Sequence, residues 1–303
     1  MPSDGAKASC PGIARRILLL ALAASQCVWS QSAALDQSEP NPTWAGRRIV
    51  TLEGFGDFFA LGANGQAKLI KPDGLGVNIV AVVKRVDGDR IWIMANGAGD
   101  EPTGWVNKGD AILLDNAVRY FTSRIESSPK DWDAYLRRAE SEHSLNQRDA
   151  AIADYTRAIE LHPHEPFLFL RRGREFRIAA AKAPAAASKA CSQAAADFQE
   201  AANLRPRWAE AYSQAAGIYS DCPDPTFRNQ AKAIALIENA IALDKNPTYL
   251  TVLAMAYFRS GRLEEAVATQ KQAVESPKFP PGYRDEAVRQ LHEFEGALAA
   301  QKH

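Results

Sequence analysis

A set of small, aromatic and proline positions recurs through the second half of the chain, and this recurrence limits the possible fold more than any other feature. Ala117, Phe121 and Pro129 return 34 residues later as Ala151, Tyr155 and Pro163. Tyr135-Leu136-Arg137-Arg138-Ala139 returns at the same interval as Phe169-Leu170-Arg171-Arg172-Gly173. The first pattern comes back at Ala194…Asp197-Phe198…Ala201…Pro206, 43 residues after Ala151, and then at Ala233-Ile234…Ile237…Ala240-Ile241 and Ala266-Val267…Gln270…Ala273-Val274…Pro277. The second continues at Tyr212…Ala215-Ala216…Tyr219 and Leu250…Leu253-Ala254…Tyr257. A period of this length marks a helix pair that cannot cover its own apolar face and must stack on the next pair. Small side chains such as Ala139, Ala151 and Ala158 let two backbones approach, and Tyr135 and Tyr155 fill the gap to the neighbouring pair.

Residues 116–277 resemble the tetratricopeptide repeat family, because small, aromatic and proline positions recur together. The resemblance implies an all-α helical solenoid over 115–282, made of half a repeat and about four helix pairs. Residues 283–303 then form a capping helix and tail, since Asp285-Glu286-Ala287-Val288…Leu291…Phe294…Ala297-Leu298 is amphipathic. The resemblance also implies that the first helix of each pair lines an inner, partner-binding face. On this chain that face maps to Arg137, Glu140 and His143, then Arg171, Arg174 and Arg177, then Ser213 and Gln214, then Thr251, Met255 and Arg259. Arginines in such a wall are expected to pair with the carboxylates of an acidic partner segment. The Lys and Asn of the family's clamp for a C-terminal carboxylate are absent here, so that ligand is not carried over. Two insertions depart from the family pattern. Arg177–Ser192 contains Pro184 and is expected to lengthen two helices at their turn. Asp221-Cys222-Pro223-Asp224-Pro225 replaces a short glycine turn and is similar to a segment of some exported bacterial proteins of this family.

Residues 44–114 have a different period. Ile49-Val50-Thr51-Leu52, Val77–Val83, Arg90-Ile91-Trp92-Ile93, Gly104-Trp105-Val106 and Ala111–Leu114 are short β-type runs between Gly-rich or Asp-rich breaks. Asp87-Gly88 predicts a tight hairpin, which needs a positive φ. The runs Val82-Val83…Val86-Asp87-Gly88-Asp89…Trp92-Ile93…Gly104-Trp105-Val106 resemble bacterial Src-homology-3-like domains. The resemblance implies a small closed all-β barrel, with Trp44, Trp92 and Trp105 as candidates for an aromatic groove that binds peptides or cell-wall stems. The glycine-rich segment Phe55–Leu75 does not fit a compact version of that barrel. The barrel is expected to dock on the first helix, because the array begins directly after its last strand.

Residues 1–34 read as a secretory signal peptide: Lys7, Arg15 and Arg16 precede a short apolar run, and small residues follow. Residues 35–43 read as a linker. The expected location is therefore exported, periplasmic or extracellular. Cys191 and Cys222 would remain after signal removal, in turns of adjacent pairs. An oxidising compartment favours a disulfide between them, with two unpaired thiols as the alternative. The 36 basic and 36 acidic residues balance, so no global field draws in nucleic acid or an anionic membrane. His162-Pro163-His164 lacks further ligands at metal spacing. No nucleophile, zinc or phosphate-loop motif is present, so no catalytic residue, metal or cofactor is assigned. The expected function is a non-enzymatic adaptor that binds a protein or peptide in the concave face of the array. The alternatives are binding of the cell envelope (peptidoglycan or peptide) through the barrel with the helices as spacer, and a hydrolase with an unrecognised site.

Overall fold

The computed structural model describes residues 43–52, 58–61, 67–70, 80–95 and 103–301. The expected signal peptide and, apart from Thr43, the expected linker lie outside the described residues, as does most of Phe55–Leu75. From Trp44 onward the chain forms one compact unit. No helix among the described residues is long and apolar enough to cross a membrane.

Among the described residues the unit opens with seven strands: β1 (Arg48–Thr51), β2 (Phe58–Leu61), β3 (Ala67–Ile70), β4 (Val80–Asp87), β5 (Arg90–Ala95), β6 (Thr103–Asn107) and β7 (Ala111–Leu113). Five of them form an antiparallel sheet in the order β6-β5-β4-β1-β7, and β2 pairs with β3 in a separate hairpin. The order is linear, with β6 and β7 at its edges. The described sheet is therefore open, which corrects the expectation of a closed barrel. Alternation along β4 and β5 sends Ala81, Val83, Ile91 and Ile93 to one face, where they pack with Ile49, Leu113 and Trp44. Gly88 supplies the positive φ (57°) that the β4–β5 turn needs.

Ten α-helices follow among the described residues: α1 (Leu114–Ser127), α2 (Trp132–Ser144), α3 (Arg148–Leu161), α4 (Pro166–Lys182), α5 (Ala187–Leu204), α6 (Ala209–Asp221), α7 (Gln230–Leu243), α8 (Pro247–Arg259), α9 (Leu263–Glu275) and α10 (Pro281–Gln301). Each packs on the next in chain order, and α6 also touches α4 and α8. First helices of neighbouring pairs thus stand side by side, as in a solenoid. Local chemistry fixes the helix starts: Asp131, Asn229 and Asn246 accept hydrogen bonds from the amides of Ala134, Lys232 and Thr248, and Pro166 and Pro247 occupy the first turn. The Arg177–Ser192 insertion lengthens α4 and α5, which meet at a short 3-10 turn over Pro184–Ala186.

The small positions of the repeat lie where helices touch. Ala139, Ala216 and Ala254 are fully buried. Gly173 occupies the same place in α4, where an added Cβ would come within 2.7 Å of the Phe198 ring. A polar rung also recurs. Arg138 of α2 grips Asp154 of α3 through two hydrogen bonds (2.6 and 2.7 Å) and reaches Thr122 of α1 at 3.0 Å. One period later Arg172 of α4 grips Asp197 of α5 (2.9 and 2.7 Å) and reaches Thr156 of α3 at 3.1 Å.

Both ends of the stack are covered. At the far end α10 turns Ala287, Leu291 and Phe294 inward, with Phe294 stacked on Phe258 at 4.5 Å between ring centroids. Its outer side carries Asp285, Glu286, Arg289, His292 and Glu293, a polar finish that ends a repeat array. At the near end the sheet takes this role. β1 and β7 pack on α1, and β4 packs on α2. Arg137 of α2 donates to the Thr51 carbonyl at 2.5 Å and to the Thr51 hydroxyl at 3.0 Å. Arg124 of α1 donates to the Leu52 carbonyl at 3.0 Å, and Arg48 of β1 to the Ser144 carbonyl at 3.0 Å.

Cys191 and Cys222 are joined by a disulfide. Cys222 sits in the turn between α6 and α7 as expected, whereas Cys191 lies inside α5 and not in a turn. The bond therefore ties the second helix of one pair to the first helix of the next, across 31 residues of sequence. In the chain-entropy account a loop of this size contributes about 3–4 kcal/mol. Urea unfolding with and without reductant is expected to differ by that amount. A difference below about 1 kcal/mol would show that helix packing alone holds this junction.

Candidate partner-binding site

The residues mapped to the partner-binding face lie on α2, α4, α6 and α8, and most of their charged side chains already have an ion-pair partner within the chain. Glu140 of α2 is almost fully buried. It accepts a hydrogen bond from the Tyr155 hydroxyl at 2.7 Å and forms an ion pair with Arg171 of α4 at 3.1 Å. Arg171 also lies over the Phe167 ring. Burial draws down the Arg171 affinity for its proton, but Glu140 and Tyr155 outweigh that and raise it. Burial, with Glu140 beside it, keeps the Tyr155 phenol protonated far above its usual range.

A second group sits beside the first. His143 of α2 contacts Glu175 of α4 through Nδ1 at 2.6 Å, and Arg148 of α3 approaches the other Glu175 oxygen at 3.4 Å. The hydrogen bond to Glu175 raises the His143 pKa against the opposing effect of burial. Arg174 of α4 forms an ion pair with Glu210 of α6, and Arg259 of α8 forms one with Asp221 of α6 at 2.8 Å. These bonds run from one first helix to the next, so the side chains share a wall formed by the first helices.

Arg137 does not belong to that wall. It is 3% exposed and committed to Thr51 and to Asp133, so it holds the sheet instead of facing a partner. Ser213 is buried, while Gln214, Thr251 and Met255 are partly exposed along α6 and α8. Arg177 is exposed and makes no hydrogen bond or ion pair among the described residues.

The three tryptophans of the expected groove are not brought together. Trp44 is 8% exposed and packs in the sheet core. Trp92 and Trp105 pair across β5 and β6 on the opposite face, edge to face at 5.4 Å, with Arg85 and Arg90 beside the Trp105 ring. His162 stacks on Trp132 at 4.7 Å, and no group of His, Cys, Asp or Glu suited to a metal ion occurs among the described residues.

Glu142 escaped sequence reasoning. It stands in phase with Phe176, Tyr219 and Tyr257, the aromatic positions of the later pairs. It is buried beside Asp154. Burial first, and then the Asp154 charge, push its carboxyl pKa up to about 7. A raised carboxyl pKa means that stability is full below pH 4.5 and falls as pH rises through 7. Glu142→Gln keeps a donor for Asp154 and removes the ionisation. It is expected to leave stability unchanged near pH 4 and to raise it by about 3 kcal/mol above pH 8. Unfolding curves at the two pH values check this, and an equal effect at both would contradict it.

Stacked helix pairs with first helices side by side and both ends covered define a helical-repeat solenoid. Two segments, residues 133–165 and 247–278, match the model of the tetratricopeptide repeat family. These segments are the pairs α2–α3 and α8–α9; the lengthened α4–α5 pair and the Cys222–Pro225 turn lie between them. Among solved structures, a thermophilic tetratricopeptide repeat protein of Thermus thermophilus is 20% identical, with 60% of this chain and 90% of that one covered and a TM-score of 0.47. MamA of Desulfovibrio magneticus RS-1 is 17% identical, covering 54% and 84%, at a TM-score of 0.45. YrrB, described as having an unusual peptide-binding site, is 18% identical, covering 60% and 85%, at a TM-score of 0.44. No curated protein matches the chain.

Proposed function

We propose that this chain is a non-enzymatic adaptor that binds a protein or peptide segment along the concave face lined by its first helices. The observation that carries the reading is the wall itself. Successive first helices are tied to one another through Glu140–Arg171, His143–Glu175, Arg174–Glu210 and Asp221–Arg259, which leaves a rigid surface of preset charge. The sheet, whose strand runs resemble Src-homology-3-like domains, acts in this reading as an end cap for the array. The signal-like residues 1–34 and the Cys191–Cys222 disulfide support export to an oxidising compartment.

Photocrosslinking from the full chain tests the reading. A photoreactive residue at Gln214 or Thr251 is expected to crosslink a partner, and one at Lys189 or Lys232 on the second helices is not. Crosslinks confined to the second helices or to Trp92 and Trp105 would replace this reading with one in which the wall is structural.

A further inference from the structure

Gly217 lies in the middle of α6, where glycine costs about 1 kcal/mol relative to alanine. Neither backbone nor packing asks for it. Its φ is not in the left-handed region, and a Cβ built on it meets nothing within 4 Å. Gly173 shows the contrast, since there the Phe198 ring excludes any side chain. Gly296 is as open as Gly217, but it lies on the solvent side of the capping helix.

The neighbours of Gly217 are what make its gap useful. Glu210, Gln214, Gly217 and Asp221 form one stripe along α6 at helical spacing. The Glu210–Arg174 and Asp221–Arg259 pairs turn that stripe to the first-helix wall. Arg174 precedes Gly217 in phase on α4, and Met255 follows it in phase on α8. Arg177 stands one turn beyond Arg174. Arg174 and Arg259 each have a carboxylate, and Arg177 has none among the described residues. Asp221, the acid whose charge Arg177 feels, is already held by Arg259 at 2.8 Å.

We infer that the gap at Gly217 seats the backbone of an extended acidic peptide segment, with one of its Asp or Glu side chains paired to Arg177. The inference rests on the first-helix wall being the partner-binding face. It moves the acid-recognising role from Arg171, which is committed to Glu140, to Arg177. A side chain at position 217 would hold the peptide off the helix, which accounts for a glycine kept against helix propensity. The planar guanidinium suits a carboxylate with two parallel hydrogen bonds.

The test uses the full oxidised chain and a panel of fluorescein-labelled extended peptides, each acidic member matched by its Gln or Asn counterpart. Acidic members are expected to bind about tenfold more tightly than their amide counterparts, as a charge-assisted hydrogen bond predicts. Arg177→Gln is expected to erase that preference with little loss for the amide peptides. Gly217→Ala is expected to raise Tm, and Gly217→Leu to abolish binding while Tm stays at or above that of the parent. If peptides bind but the preference survives Arg177→Gln, or if Gly217→Leu binds normally, this site is wrong and the adaptor reading stands. If no peptide binds, or if bound peptide maps to the sheet, both fail.

Discussion

Replacing Arg137 with alanine is expected to lower the unfolding free energy by about 5 kcal/mol, the largest single effect in this fold. The guanidinium is 3% exposed and serves three acceptors: the Thr51 carbonyl, the Thr51 hydroxyl and the Asp133 carboxylate. Alanine leaves Thr51, itself 2% exposed, with a buried carbonyl that loses this donor. It also leaves Asp133 with only Arg124, at 3.3 Å. Removing one partner of a buried charged network costs about 3–5 kcal/mol, and the lost packing of the long side chain adds to it. The effect should fall first on the junction between sheet and helices. Near-UV circular dichroism from Trp44, in the sheet core, should lose its signal at lower temperature than the far-UV helix signal. Arg137→Lys keeps the charge but cannot span Thr51 and Asp133 with a planar fork, so an intermediate loss is expected. A Tm within about 1 °C of the parent would show that Arg124 and Arg48 hold the sheet unaided.

That junction shows which parts of the structure the sequence made legible. The period of 34 residues, with its small and aromatic positions, was sufficient to place the helix pairs, because side-chain size must recur where backbones touch. Ala139, Ala216 and Ala254 are buried for this reason, and α10 caps the stack with the polar outer face that its pattern implies. The strands of 44–114 were mostly legible from β-branched runs and from Gly88. The β2–β3 hairpin was not, since the Phe58–Leu61 run has no alternation to distinguish a strand from other apolar segments. The roles of the arginines were the least legible. Arg137 and Arg171 are the same position of the same motif, and sequence alone gives both to a partner. In the structure, Arg137 meets Thr51 of the sheet that packs on α1 and α2, whereas Arg171 meets Glu140 of the preceding pair. Which acid an arginine finds depends on the neighbour that its repeat stacks against, and that is tertiary information. Among the described residues Arg177 stays unpaired for the same reason, since Arg259 has already taken Asp221.

The recurring rung yields the second large prediction, and the chain carries its own control. In the third pair the positions in phase with Arg172 and Asp197 are Ala215 and Leu236, and both pack in an apolar cluster. In the fourth they are Leu253 and Thr269. Arginine and aspartate therefore occur together in the pairs that have the rung, and both are absent from the pairs that lack it. Arg172→Ala alone leaves Asp197, 4% exposed, without its bidentate partner and is expected to cost about 4 kcal/mol. Asp197→Leu alone strands a guanidinium that is still partly in water, so its cost should be smaller, about 2 kcal/mol. The double variant Arg172→Ala/Asp197→Leu copies the third pair and is expected to fall within about 1 kcal/mol of the parent, because a well-packed apolar pair replaces a buried ion pair at little cost. The coupling between the two sites, measured as a double-mutant cycle by urea unfolding, should then be several kcal/mol. Losses that simply add would mean that the rung is held by Thr156 and the surrounding helices, and that the matching of arginine to aspartate along the repeats has no energetic basis.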